Sequence, residues 1–340
     1  MILVTGGTGL TGSHLLLHLI QKGHAVKAIK RPSSDVNVLE KIFKYYCPEK
    51  AEQYLSKIEW TDGDTTDIFS LREALKGVDK VYHCAAIVSF SKEGRKQMQY
   101  VNVEGTANIV NASILEGVKK LVHCSSIATL GKPETGNHTD ETLIWKTSPN
   151  SSLYSITKFG AEREVWRGIE EGLDAVIVNP SVILGPGDPY KSSTQIYKQV
   201  KDGIKFYTKG VSGFVDVRDV VKAIDFLMES DIKNERFILN SENLSFKTLF
   251  ELFAEQIKAK PPSIYAGKFL CEVAWRLEKT RSLITGKPAL ITKETVRTAN
   301  KSSYYSNEKF KEASGFTFIP VKDSVANTCS FFEKFPLPWK

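Results

Sequence analysis

A strand-like run, Ile2-Leu3-Val4-Thr5, stops at Gly6 and gives way to a helical pattern, with glycine at positions 6, 9 and 12 across the break. Few folds begin this way. Glycine permits the tight turn and lets a ligand lie directly against the backbone. The helix that follows offers free N–H groups and the positive end of its dipole, which suits an anion such as a pyrophosphate. Gly6, Gly9, Leu10 and Gly12 are therefore the first candidate binding residues.

The pattern beyond the turn agrees with this start. Apolar runs at 2–5, 25–29, 58–61, 80–84, 119–124 and 175–179 alternate with amphipathic stretches such as 15–21, 71–75 and 107–115. The runs are continuous rather than alternating, as in strands covered on both faces. Repeated βα units imply an α/β fold, a Rossmann-type doubly wound parallel sheet. After Pro180 the pattern changes at a loop, Gly185-Pro186-Gly187-Asp188-Pro189. The expected organisation is a dinucleotide-binding domain over 1–180 and a smaller substrate-binding region over 181–340, interleaved, with a soft boundary. Helical stretches at 217–228, 246–257 and 269–277 fall in the second region. The 269–277 stretch is read as core or a lid, with a membrane-surface helix as the alternative. The tail at 335–339 is read as a poorly ordered terminus.

Composition excludes several classes. No run approaches the ~20 apolar residues of a membrane span. Met1 leads straight into a strand with no basic-then-apolar leader, so the expected location is cytoplasmic. The five cysteines are odd in number and form no Cys-x-x-Cys pair, which argues against a disulfide framework or a metal site. Cys84 and Cys124 end apolar runs and read as small buried hydrophobes. The net charge is +7, with Lys198, Lys201, Lys205 and Lys209 at nearly helical spacing. With no aromatic-basic module beside them, these read as a solvated face rather than a nucleic-acid surface. A homodimer is compatible with the sequence, although no interface can be read from it.

Around the expected cofactor, the second strand ends at Lys30-Arg31, where an acidic residue would bind the ribose 2′-hydroxyl of NAD. A guanidinium matches a 2′-phosphate, so NADP is expected ahead of NAD. Asp64 follows the third strand and could accept from the adenine amino group, while Asp67 could cap the next helix. Ala85 and Ala86 end the fourth strand with small residues that would let the cofactor lie close.

Tyr154 and Lys158 stand four apart, on one face of a helix. The Lys158 charge is expected to lower the phenol pKa, so that Tyr154 gives or takes a proton while hydride moves. Ser126 follows the fifth strand and could orient a substrate carbonyl, with Ser125 as its competitor. Asn102 is read either as a contact that positions Lys158 or as a structural amide.

In this order the residues resemble the extended short-chain dehydrogenase/reductases, the group containing NAD-dependent epimerases/dehydratases and dihydroflavonol-reductase-like enzymes. The resemblance spans nearly the whole chain. It is carried by Gly6/Gly9/Gly12, Asp64, Ala85-Ala86, Asn102 with Gly105-Thr106, Ser126 with Gly131, and Tyr154/Lys158. The segments Asn179-Pro180-Ser181 through Asp188, Phe214 through Val220, and Ser306-Asn307-Glu308-Lys309 with Gly315-Phe316 continue it. The resemblance implies that Pro180 and Ser181 run past the nicotinamide, and it favours Ser126 over Ser125. Asn179-Pro180-Ser181 and Val217-Arg218-Asp219 look more like the reductase and hydroxysteroid-dehydrogenase-like branch than the sugar-nucleotide epimerases. The expected activity is reduction of a small-molecule ketone or oxidation of a secondary alcohol. The alternatives are a nucleotide-sugar epimerase/dehydratase and a silent NADP-binding sensor.

Overall fold

The structure is a computed structural model and describes residues 1–88, 92–148, 151–285, 296–297 and 299–339. Seven strands form one parallel sheet: β1 Ile2–Thr5, β2 Val26–Lys30, β3 Ile58–Asp62, β4 Lys80–His83, β5 Lys120–Cys124, β6 Ala175–Pro180 and, later in the chain, Glu235–Leu239. Between β6 and that last strand lie β7 Val182–Leu184 and β8 Val211–Asp216, which makes Glu235–Leu239 β9. The spatial order is β9-β6-β5-β4-β1-β2-β3. The direction of winding reverses between β1 and β4, which opens a crevice at their C-terminal ends.

All four residues of β1 and all six of β6 are buried, as two-sided cover requires. Helix α1 (Leu10–Gln21) inserts Leu15, Leu16 and Leu19 into the core on one face. On the other face α2 (Ile68–Leu75), α3 (Gly105–Leu115) and α4 (Leu153–Glu170) contribute Leu71, Ile109, Val110 and Val165. A third core joins the helices Phe246–Gln256 and Val321–Lys334 to a small sheet of β7, β8 and Glu242–Ser245.

Two expectations are corrected here. Helix α5 (Val217–Glu229) packs Val220, Ile224 and Leu227 into the α1-side core and leads directly into β9 of the main sheet. Strand β9 was missed because Glu235 and Arg236 give its first half a charged character, as an edge strand tolerates. The tail also packs: Trp339 meets Phe331 edge-on and Phe332 at a tilt, and donates to the Phe335 carbonyl. The lysine stripe is not one helix face, since its helix ends at Lys201, with Lys198 paired to Asp202. Among the described residues no helix is long and apolar enough to cross a membrane.

Asp225 ties α5 to α1 and the sheet. Its carboxylate accepts from Lys22 (2.7 Å) and from the Tyr82 hydroxyl (3.2 Å), and it lies 2.9 Å from His18 Nε2. Burial pushes its pKa up, but His18 and Lys22 more than offset this and hold it well below the carboxylate range. A depressed folded pKa stabilises above the unfolded value of ~3.9, and this stability is lost as pH falls through the folded pKa. Asp225→Asn should therefore cost about 1.5–3 kcal/mol near neutrality, at the low end because Lys22 is half in water. Urea unfolding at about pH 5 and about pH 3 should show the gap to wild type narrowing in acid. A gap that stays constant would remove the Asp225 pairing as its cause.

Candidate active site

Gly6 adopts φ +70°, and a Cβ there would lie 2.7 Å from the Ala85 nitrogen. The turn after β1 thus presses against the end of β4, at the crevice. A Cβ on Gly12 would fall 2.1 Å from the Gly6 carbonyl oxygen, so the first helical turn closes only with glycine. Gly9 is exposed and meets only the Gly6 oxygen at 3.3 Å. No side chain caps the start of α1, which leaves its first N–H groups directed at the crevice. The loop at Gly187 packs against Leu10, where a Cβ would meet Leu10 Cδ1 at 3.0 Å.

At the end of β2, the Lys30 ammonium lies over the Trp60 ring. The Arg31 residue is exposed and its guanidinium has no ion-pair partner among the described residues. Asp64 uses Oδ1 to hold the Thr66 backbone N–H and hydroxyl, which leaves its other oxygen for a ligand. Asp67 caps α2 through the Phe69 N–H. Ala85 donates its N–H to Thr5 Oγ1, and Ala86 is exposed at the crevice. Pro180 ends β6. Ser181 is buried, and its hydroxyl has no partner.

Helix α4 begins at Ser152, whose hydroxyl accepts from the Ser155 N–H. It places Tyr154 and Lys158 on the face toward β5. Lys158 is 2 % exposed and donates to the Cys124 carbonyl at 2.9 Å. That is one acceptor for three protons, and burial lowers its pKa despite the nearby Cys124 and Glu162. Ser126 is half-buried. Its hydroxyl accepts from the Ala128 N–H at 3.2 Å and faces the Tyr154 phenol. Ser125 is spoken for, since its hydroxyl donates to Glu162 Oε2 at 2.7 Å.

The phenol reverses one expectation. Burial raises the Tyr154 pKa, with Ser126 beside it pulling the other way. The Lys158 ammonium is directed to the Cys124 carbonyl instead. Enclosure therefore governs this phenol, which stays protonated beyond the usual tyrosine range in the free protein.

Two supporting groups frame the triad. Asn102 lies in a π-helical turn, Tyr100–Glu104, a form frequent at functional sites. Its amide exchanges two hydrogen bonds with the Ile87 backbone and donates to Thr157, the neighbour of Lys158. Asn102 thereby fixes the β4 loop to α4. Sequence reasoning did not single out Glu162, which lies one turn beyond Lys158. Its Oε2 accepts from Ser125, Thr129 and Asn179, and its Oε1 pairs with Arg236 of β9. The Asn179 amide also donates to the Ser126 carbonyl. This buried network clamps both flanks of Ser126, and its only sequence signal is an acidic residue at the i+4 position after Lys158.

The uncapped helix start, the two obligatory glycines, the free Arg31 and the unpartnered Ser181 hydroxyl suit a phosphate-bearing dinucleotide. Comparison with known proteins agrees. The chain is 31% identical to sterol demethylase protein B of Methylococcus capsulatus over 255 residues, 74% of this chain and 73% of that protein. It is 28% identical to cinnamoyl-CoA reductase 1 of Petunia hybrida over 352 residues, 99% of this chain and 94% of that one. The crystal structure of gox2253 superposes with a TM-score of 0.80 at 31% identity, covering 99% of this chain and 98% of that chain. The model of the NAD dependent epimerase/dehydratase family matches residues 2–239, and the chain belongs to that family.

Proposed function

We propose that the protein is an NADP(H)-dependent oxidoreductase that reduces a ketone or oxidises a secondary alcohol. The observation that carries this is the meeting of Ser126, Tyr154 and buried Lys158 at the sheet edge, beside an uncapped helix start. The dinucleotide, when bound, supplies or accepts the hydride. Gly6, Gly9, Leu10 and Gly12 would hold its pyrophosphate. Lys30 and Arg31 would hold the 2′-phosphate, Asp64 the adenine, and Ala85, Ala86, Pro180 and Ser181 the remainder. Lys158 has donors to spare for a ribose hydroxyl. Tyr154 holds the proton delivered to the substrate oxygen, and the Ser126 hydroxyl orients that oxygen. Asn102 keeps the β4 loop and α4 in register. On this reading the dinucleotide-binding unit comprises 1–180 together with α5 and β9, and the remaining chain faces the substrate.

Relatives named as reductases, with 28–30% identity to this chain, support this chemistry over sugar-nucleotide epimerisation. The deciding experiment is a carbonyl and alcohol screen read at the nicotinamide absorbance. Net cofactor turnover supports the proposal. Cofactor that stays bound and is regenerated in each cycle would point to an epimerase, and binding without turnover to a sensor.

Cofactor preference gives a separate test. Charge-assisted hydrogen bonds contribute about 1.5–3 kcal/mol, so Arg31→Ala should weaken NADP(H) by roughly 10- to 100-fold. NAD(H) affinity should move by no more than about twofold, since it lacks the phosphate that Arg31 grips. Equal losses for both cofactors in calorimetric titration would remove the phosphate clamp.

A further inference from the structure

The ends of β4 and β5 carry two thiols that the proposed chemistry does not use. The register pairs His83 with His123, so the next residues, Cys84 and Cys124, stand side by side. The two histidines stack on one face of the sheet, with His83 bonded to Thr106 of α3. Successive side chains alternate between faces, and both cysteines accordingly pack against the α1-side core. Adjacent strands lie about 4.8 Å apart, inside the ~4.4–6.8 Å Cα separation that a disulfide needs. Both cysteines are free, and each residue is partly exposed while its side chain packs inward. Cys47, the other partly exposed cysteine, accepts from the Gln21 amide at its sulfur and has no second cysteine beside it among the described residues. Cys271 and Cys329 are buried.

Their surroundings favour reaction. Cys84 adjoins Gly6, whose Cβ would lie 2.8 Å from the Cys84 carbonyl carbon. The Thr11 hydroxyl, in the first turn of α1, faces Cys124. The Cys84 thiol directed at Cys124 lowers the Cys124 pKa, as do the Lys158 charge and Thr11, against the opposing effect of burial. The same contact pushes Cys84 up. The Lys158 ammonium, held at the Cys124 carbonyl, and the Thr11 hydroxyl both adjoin Cys124, which marks it as the attacking thiol of the pair.

We propose that Cys84 and Cys124 form a peroxide-oxidisable dithiol site, shielded when a dinucleotide lies across Gly6 and the start of α1. The shielding rests on the cofactor reading above, whereas the dithiol does not. Cys124 thiolate attacks one oxygen of hydrogen peroxide, which breaks the O–O bond, leaves a sulfenic acid and, with one proton, releases water. Cys84 then attacks that sulfur, forms the S–S bond and releases a second water. Two thiols are oxidised by two electrons, and the peroxide is reduced to two waters.

The test uses the full chain, stripped of cofactor and reduced. It is exposed to limiting hydrogen peroxide with or without NADP+, then alkylated and analysed by peptide mass spectrometry. The expected product is a linked Cys84–Cys124 peptide, formed ahead of any Cys47 oxidation and reversed by dithiothreitol. With NADP+ at about 100 times its Kd, formation should slow on the order of 100-fold, as the free fraction falls. Failure of the linked peptide to form in the stripped protein overturns the dithiol site. Equal rates with and without NADP+, while a separate titration shows NADP+ bound, overturn the shielding. Absence of NADP+ binding to the reduced protein overturns the cofactor reading itself and leaves the dithiol judged by the stripped sample alone. Dimedone trapping of a sulfenic acid at Cys124 in Cys84→Ser, absent at Cys84 in Cys124→Ser, checks the order of attack. The reverse pattern overturns the assignment of Cys124 as the attacking thiol.

Discussion

Tyr154→Phe should lower turnover by about 10²–10⁴-fold, the usual contribution of a general acid–base group, while cofactor affinity stays within about threefold of wild type. The substitution deletes one oxygen and keeps the ring, so the packing of α4 survives. The phenol is the group assigned to proton transfer, and the Ser126 hydroxyl beside it is assigned to orienting the substrate oxygen. Turnover on a substrate found by the screen is the measurement, with nucleotide titration as its control. Near-wild-type turnover would end the Ser/Tyr/Lys reading. Ultraviolet titration of the free protein adds a second check. The raised Tyr154 pKa means that the wild type should lack, below the ordinary tyrosine range of ~10, any ionisation step that Tyr154→Phe removes.

Gly9→Val should abolish dinucleotide binding, with Kd rising on the order of 100-fold or more, about 2.7 kcal/mol at ~1.4 kcal/mol per decade, while the fold persists. A Cβ at Gly9 meets one atom at 3.3 Å, and the residue is exposed, so a side chain there projects outward to where the pyrophosphate would lie. Gly12→Val is the instructive contrast. Its Cβ would collide with the Gly6 carbonyl at 2.1 Å, so the β1–α1 turn itself should be lost and thermal stability with it. Circular dichroism melts paired with cofactor titrations separate the two. Unchanged affinity in folded Gly9→Val would place the phosphates elsewhere.

The sequence determined the features that local pattern controls. Strand-like runs marked six of the seven main-sheet strands, the central ones because buried parallel strands are apolar on both faces. The glycine series marked the turn, because no other residue fits Gly6 at φ +70° or Gly12 against the Gly6 oxygen. The i,i+4 spacing put Tyr154 and Lys158 on one helix face. What only the tertiary structure decided involves groups distant in sequence. Strand β9 joins the main sheet from beyond the small sheet because its apolar half pairs with β6, which no local period reveals. Glu162 binds Ser125, Asn179 and Arg236 because three separate elements converge on it. The Tyr154 pKa rises rather than falls, since enclosure and the direction of the Lys158 ammonium are properties of packing. Cys84 and Cys124, forty residues apart and read singly as buried hydrophobes, become a pair through strand register. Sequence period specifies which face a side chain takes, and only the folded sheet specifies which side chain it meets there.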